Sequence, residues 1–99
     1  MANITQQENQ WLVSGDVLMD NASEILSQSN DFLMDHAIEI DFSAVTDVDT
    51  VALSLMMEWQ RRAIIASGEV TFAHLPPNLV SLAALYGVTD FIPLKKVGE

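Results

Sequence analysis

Apolar residues alternate with polar ones in some stretches of the chain and recur at helical intervals in others, and the two periods divide it into elements. Residues 37–42 (AIEIDF) alternate apolar and polar positions and read as a buried strand. Residues 69–73 (EVTFA) read as another. Near the start, Ile4 and Gln10-Trp11-Leu12-Val13 flank the polar Glu8-Asn9, the pattern of a short hairpin that Gly15-Asp16 then breaks. From about residue 21 to residue 34, Ala22, Ile25, Leu26, Leu33 and Met34 fall at helical spacing, with Asp20 or Asn21 as the N-cap. A longer helix is expected from Thr50 to about Ala66, stopped by Gly68. Pro76-Pro77 leads into a third helix that reaches Tyr86 and closes at Gly87, and Phe91-Ile92 is a candidate for a last short strand before the Lys95-Lys96 tail.

This order, ββαβαβα with an optional final strand, predicts an α/β fold. Its mixed central sheet of four to five strands should be parallel in the middle and carry helices mainly on one face, because each crossover helix returns the chain to the same edge. Residues 1–99 are expected to form a single domain. A hydrophobic share of 49% with 18% charged residues fits a folded chain. The absence of cysteine removes disulfides and thiolate metal sites, and favours a reducing, cytoplasmic setting. The N-terminal MANITQQENQ lacks the basic and apolar regions of a signal peptide. The uncharged window 70–89 is interrupted by Pro76-Pro77 and Asn78, so it is not read as a membrane span.

Charge sharpens the picture. The formal net charge is −10, and the four Lys and Arg residues all come after residue 60, as Arg61-Arg62 and Lys95-Lys96. Such a chain repels phosphate backbones and anionic headgroups, which argues against nucleic-acid binding and direct membrane insertion and towards a partner with a basic surface.

Few residues suggest catalysis. Asp41, Asp47 and Asp49 cluster around the end of the strand at 37–42, but a phosphoryl-accepting site also needs a pair of acids after the first strand, where Asp16 stands alone, and a late lysine, whereas Lys95 and Lys96 lie in the tail, so solvated loop acids and a helix cap are the better reading. His36 and His74 belong to no ligand motif and read as loop residues. With no Gly-rich phosphate loop or nucleophile elbow, we expect no enzyme, no metal and no cofactor.

The run IEIDFSAVTDVDTVALSLMM (residues 38–57) carries most of the information. A strand ends at Asp41, a loop with Ser43, Thr46 and Asp47 follows, and Asp49-Thr50 opens the long helix. On a helical wheel Leu53, Met56, Met57, Ala63 and Ile64 form one broad apolar face. Val51, Leu55, Ile65 and Ala66 lie largely outside it, more than packing on one sheet requires. The surplus predicts a second apolar strip that meets neighbouring helices or another protein; Trp59 and the methionines suit either the core or such a surface.

The same run resembles the signature of STAS domains (sulfate transporter and anti-sigma factor antagonist), in which a strand ending in Asp-Leu-Ser precedes a loop and then Asp-Ser-Ser-Gly-Leu at a helix start. Within that family the chain is most similar to the MlaB-like branch, on the Ser14-Gly15-Asp16 turn, residues 41–45 (DFSAV), Val48-Asp49-Thr50, residues 52–55 (ALSL) and residues 82–86 (LAALY). The resemblance implies a non-catalytic cytoplasmic adaptor, peripheral to the inner membrane through its partner. That partner would be the ATPase subunit of a Mla-type phospholipid ABC transporter, within a permease complex that maintains outer-membrane lipid asymmetry. Anti-sigma factor antagonists usually carry two adjacent hydroxyls at the helix start, the second of which is phosphorylated. Here those positions are Thr50 and Val51, followed by Ala52 in place of glycine, so Thr50 is the one phosphoacceptor left. The face implied for partner binding is Asp47, Asp49, Thr50, Val51, Leu55, Glu58 and Arg62, opposite Leu53, Met56 and Met57. The alternative role is that of an anti-sigma factor antagonist that binds an anti-sigma kinase in a phosphorylation-controlled switch.

Overall fold

A computed structural model describes residues 3–92. Among these residues the four strands are β1 (Asn3–Gln7), β2 (Gln10–Val17), β3 (Ala37–Val48) and β4 (Glu69–Ala73), and the α-helices are α1 (Ala22–Gln28), α2 (Val51–Ile65) and α3 (Pro77–Leu85). They form one sheet in the order β1-β2-β3-β4. The β1–β2 hairpin is antiparallel, while β2–β3 and β3–β4 are parallel, with Ile38 opposite Val70 and Ile40 opposite Phe72. The mixed sheet is the expected one, at the lower of the two strand counts.

Alternation decides which side is covered. Trp11 and Val13 of β2, Ile38, Ile40 and Phe42 of β3, and Val70 and Phe72 of β4 face one way and are buried with residues of all three helices in one core. Gln10 and Leu12 are exposed on the other side, and Glu39, Asp41 and Thr71 are half-buried there. Trp11 anchors the core, edge-on to Phe32 at 5.0 Å and to Trp59 at 5.9 Å between ring centroids. The outer edge of β1 is partly covered as well, since the Ile4 N–H donates to Gln28 Oε1 of α1 at 3.0 Å.

The structure corrects several sequence expectations. β2 does not break at Gly15-Asp16 but runs on to Val17, with Gly15 at φ 84°, a conformation that favours glycine. β3 does not end near Phe42; the expected loop with Ser43, Thr46 and Asp47 is strand up to Val48. Two irregularities explain the misreading. Between Leu12 and Ser14, and again between Gly15 and Asp16, β3 carries one residue more than β2, so its inward positions step from Phe42 to Val45 to Val48. A period of two cannot be seen across such bulges.

α1 stops at Gln28 rather than continuing to Met34; its C-cap is the buried Ser29, whose hydroxyl donates to the Leu26 carbonyl at 2.7 Å. Leu33 is consequently exposed and Met34 buried. Asn21 does not cap α1 through its side chain; it braces the preceding turn, accepting from Leu18 N–H and donating to Asp16, each at 2.9 Å. The strand expected at Phe91-Ile92 is absent, and Thr89–Phe91 form a short 3₁₀ helix held to α2 by Gln60 Nε2 donating to the Phe91 carbonyl at 2.7 Å. The Lys95-Lys96 tail lies outside the described residues.

Candidate functional site

The junction between β3 and α2 places the central residues of the site. Asp49 is the helix cap: its Oδ1 accepts the Val51 N–H at 2.9 Å and its main-chain carbonyl accepts the Ala52 N–H at 3.1 Å. Its other oxygen, Oδ2, accepts the Met19 N–H at 2.9 Å and ties the β2–α1 loop to the helix start. Thr50 is left exposed, with no side-chain capping bond. Asp47 is exposed, pairs across the sheet with Asp16, and accepts the Val48 N–H through Oδ1 at 2.9 Å.

A cleft of about 390 Å³ opens beside Thr50, lined by Met19, Thr50, Val51, Leu53, Ser54, Met57, Tyr86 and Val88. Met19 (73% exposed), Tyr86 (58%) and Met57 (38%) present apolar surface at its mouth. Single exposed apolar side chains need no explanation, but a group of them around one cleft is a surface that another molecule can cover.

The expected face of α2 is only partly the observed one. Leu55 was expected at the surface and is buried; Met57 and Ile64 were expected in the core and are exposed. Trp59 is the cause. Its indole is fully buried and donates from Nε1 to Ser29 Oγ at 3.0 Å, and turning it towards the sheet carries Ala52, Leu55, Met56 and Ala63 inward with it. The outward line becomes Thr50, Ser54, Met57, Arg61 and Ile64. Glu58 pairs with Arg61 through two short bonds of 2.8 and 2.7 Å, and with Arg62 at 3.5 Å. Hydrogen bonding to Arg61, helped by the charges of Arg61 and Arg62, holds the Glu58 carboxyl below its ordinary range against the opposing effect of desolvation. Arg62 donates to Ser29 Oγ and Asn30 Oδ1 at 3.2 and 2.6 Å, so it fastens α2 to the segment after α1 rather than reaching outward. Sequence reasoning thus missed Met19, Leu53, Ser54, Met57, Tyr86 and Val88 as cleft residues. The spacing from Thr50 to Ser54 to Met57 was the available signal for two of them.

Asp41 belongs to a different part of the molecule. At the first bulge its Oδ1 accepts the Ser43 N–H at 2.8 Å and lies 3.0 Å from His74 Nδ1, joining β3 to the loop after β4. Burial opposes its charge, but the Ser43 main chain and hydroxyl, followed by the His74 ring, outweigh that and hold the carboxyl below its ordinary 3.8. A folded-state pKa below the unfolded one adds stability that is complete above about pH 4 and is lost as the pH falls through the folded value. Asp41→Asn is therefore expected to flatten the acid limb of a stability-against-pH curve below about pH 4, measured by urea unfolding, with little change in the limb's shape above it. Among the described residues no three His, Cys, Asp or Glu side chains gather to hold a metal ion, and no helix is long and apolar enough to cross a membrane.

The family described as "Mlab, STAS domain" matches residues 2–95. The chain belongs to the STAS family. Its fold recurs in an anti-sigma factor antagonist from Mycobacterium paratuberculosis, at 20% identity and a TM-score of 0.73 over 99% of this chain and 86% of that one. A putative anti-sigma factor antagonist from Thermotoga maritima superposes at a TM-score of 0.76 with 10% identity, over 97% and 87%. Unphosphorylated SpoIIAA, also an anti-sigma factor antagonist, superposes at 0.72 with 10% identity, over 98% and 90%. Identities this low establish a shared STAS fold and nothing finer. No curated protein matches the chain.

Proposed function

We propose that this STAS domain is a non-catalytic adaptor that docks the cleft at the start of α2 onto the ATPase subunit of a Mla-type phospholipid ABC transporter. The observation that carries the reading is Val51. At the position where the phosphorylated hydroxyl of a partner switch would stand, the chain has a half-buried apolar side chain that lines the cleft and accepts no phosphate. The family description, naming Mlab, points the same way. The adaptor is cytoplasmic, held at the inner membrane through the permease complex, and acts by favouring one conformation of the ATPase, which it does by binding that conformation more tightly. It handles neither ATP nor lipid.

One observation favours a second reading. Thr50 is exposed and its hydroxyl makes no capping bond, so a kinase could reach it, as an anti-sigma factor antagonist requires. Co-expression with the flanking genes separates the two: capture of an ABC ATPase supports the transporter role. Phosphate on Thr50 after incubation with an anti-sigma kinase and ATP overturns it.

Met57→Arg tests the surface itself. Because Met57 is exposed at the cleft mouth, the variant should fold like the wild type, as judged by circular dichroism, while its capture of the ATPase falls by at least about tenfold. Unchanged capture would move the contact elsewhere.

A further inference from the structure

We propose that the element received by the α2 cleft is a partner helix that carries lysine or arginine beside an apolar stripe. The inference rests on the docking reading above and specifies the chemistry of the occupant. The outward residues Thr50, Ser54, Met57, Arg61 and Ile64 are all exposed and follow the alternating four- and three-residue spacing along which a second helix packs. At its N-terminal end the line is narrow, with Thr50 and Ser54, and Met57 follows with a flexible side chain that adapts to what it meets.

Charge decides the rest. A bare helix start would favour an anion, but here the Asp49 carboxylate already accepts the Val51 N–H and complements the helix dipole. Asp20 follows the cleft residue Met19, Asp47 precedes the helix start, and Asp90 comes just after Val88; Asp20, Asp47 and Asp90 are exposed. Among the described residues the Lys and Arg cations are Arg61, bonded to Glu58, and Arg62, which donates to Ser29 and Asn30 and lies 3.5 Å from Glu58. An anionic ligand, such as a phosphate group, would be repelled by Asp20, Asp47 and Asp90, which flank the cleft residues in the chain and which we take as its acidic rim. A second copy of the chain, itself at −10, would bring the same acidic rim against this one. A basic amphipathic helix satisfies both the apolar cleft and its rim, in the helix-in-groove manner of recognition.

The test uses two 18-residue helical peptides of one design, with the same leucine stripe flanked by lysines in one and by glutamates in the other. Fluorescence anisotropy should show that the full-length protein binds the lysine peptide, weakening at least about tenfold between about 50 mM and 500 mM NaCl as the rim is screened. Asp20→Asn/Asp90→Asn should lose about fivefold or more in affinity and much of the salt dependence, whereas Met57→Ser/Tyr86→Ser should lose binding at all salt concentrations. Equal binding of the glutamate peptide, or full affinity in the Asp20→Asn/Asp90→Asn protein, overturns the inference. Capture of the Mla-type ATPase is measured in parallel. No capture by the wild type, with the peptides behaving as expected, removes the ATPase and leaves the basic helix. Equal, salt-independent capture by wild type and the Asp20→Asn/Asp90→Asn protein keeps the docking and removes the basic helix.

Discussion

Gly68→Ala is expected to cost at least about 3 kcal/mol, on the order of 12 °C or more in melting temperature for a domain of this size. A Cβ at position 68 would stand 1.8 Å from the Met34 carbonyl oxygen and 2.8 Å from both the N and the O of His36. All three are backbone atoms, so no rotamer change relieves the clash. Nor can the backbone yield cheaply, because the Glu69 N–H donates to that same His36 carbonyl at 3.1 Å and Ala37 pairs with Glu69 at the start of the β3–β4 ladder. The neighbouring position behaves in the opposite way. α2 ends in a Schellman turn, with Ser67 N–H bonded to Ile64 O at 3.1 Å and Gly68 N–H to Ala63 O at 2.8 Å, and the residue in the left-handed region is Ser67, at φ 64°. Ser67→Gly should therefore be neutral or stabilise by up to about 1 kcal/mol. Thermal and urea melts of the two variants check both signs. A mild Gly68→Ala would mean that the approach of the chain at Met34 and His36 is looser than described.

The second large effect is expected at Asp49 and not at its neighbour. Asp49→Ala removes the cap on Val51 and frees the Met19 loop, two charge-assisted hydrogen bonds, for a loss of about 1–3 kcal/mol. Thr50→Ala removes an exposed hydroxyl without a capping bond and should change stability by less than about 0.5 kcal/mol. Because the Asp49 carboxylate also fixes Met19 at the cleft mouth, Asp49→Ala should weaken partner capture beyond what its stability loss explains, seen by comparing capture at a temperature where both proteins are fully folded. If Thr50→Ala proved the more damaging of the pair, the helix start would be capped by the threonine and the site would have to be redrawn around it.

Local pattern by itself determined a good deal of this protein. Ile38, Ile40, Val70 and Phe72 announced two buried strands, Pro76-Pro77 and Gly87 framed α3, and the Asp49-Thr50 helix start with its STAS resemblance pointed to the end of the sheet where the cleft lies. Each of these signals is carried by residues close together in the chain, and a period or a cap needs no distant partner. Where distant residues compete, the tertiary structure decided. The two bulges in β3 belong to its pairing with β2, beside which it carries one residue more at two points. The orientation of α2 followed the burial of Trp59 against Trp11 and its bond to Ser29, which turned Leu55 inward and Met57 outward against the symmetry of a wheel that weighs apolar residues alike. Gly68 looked like a helix stop and proved to be a point of close contact with Met34 and His36, far back in the chain. The cleft itself joins Met19, α2, Tyr86 and Val88, segments that only the tertiary structure brings together, because each covers its apolar side against another and long-range bonds such as Met19 N–H to Asp49 hold them there.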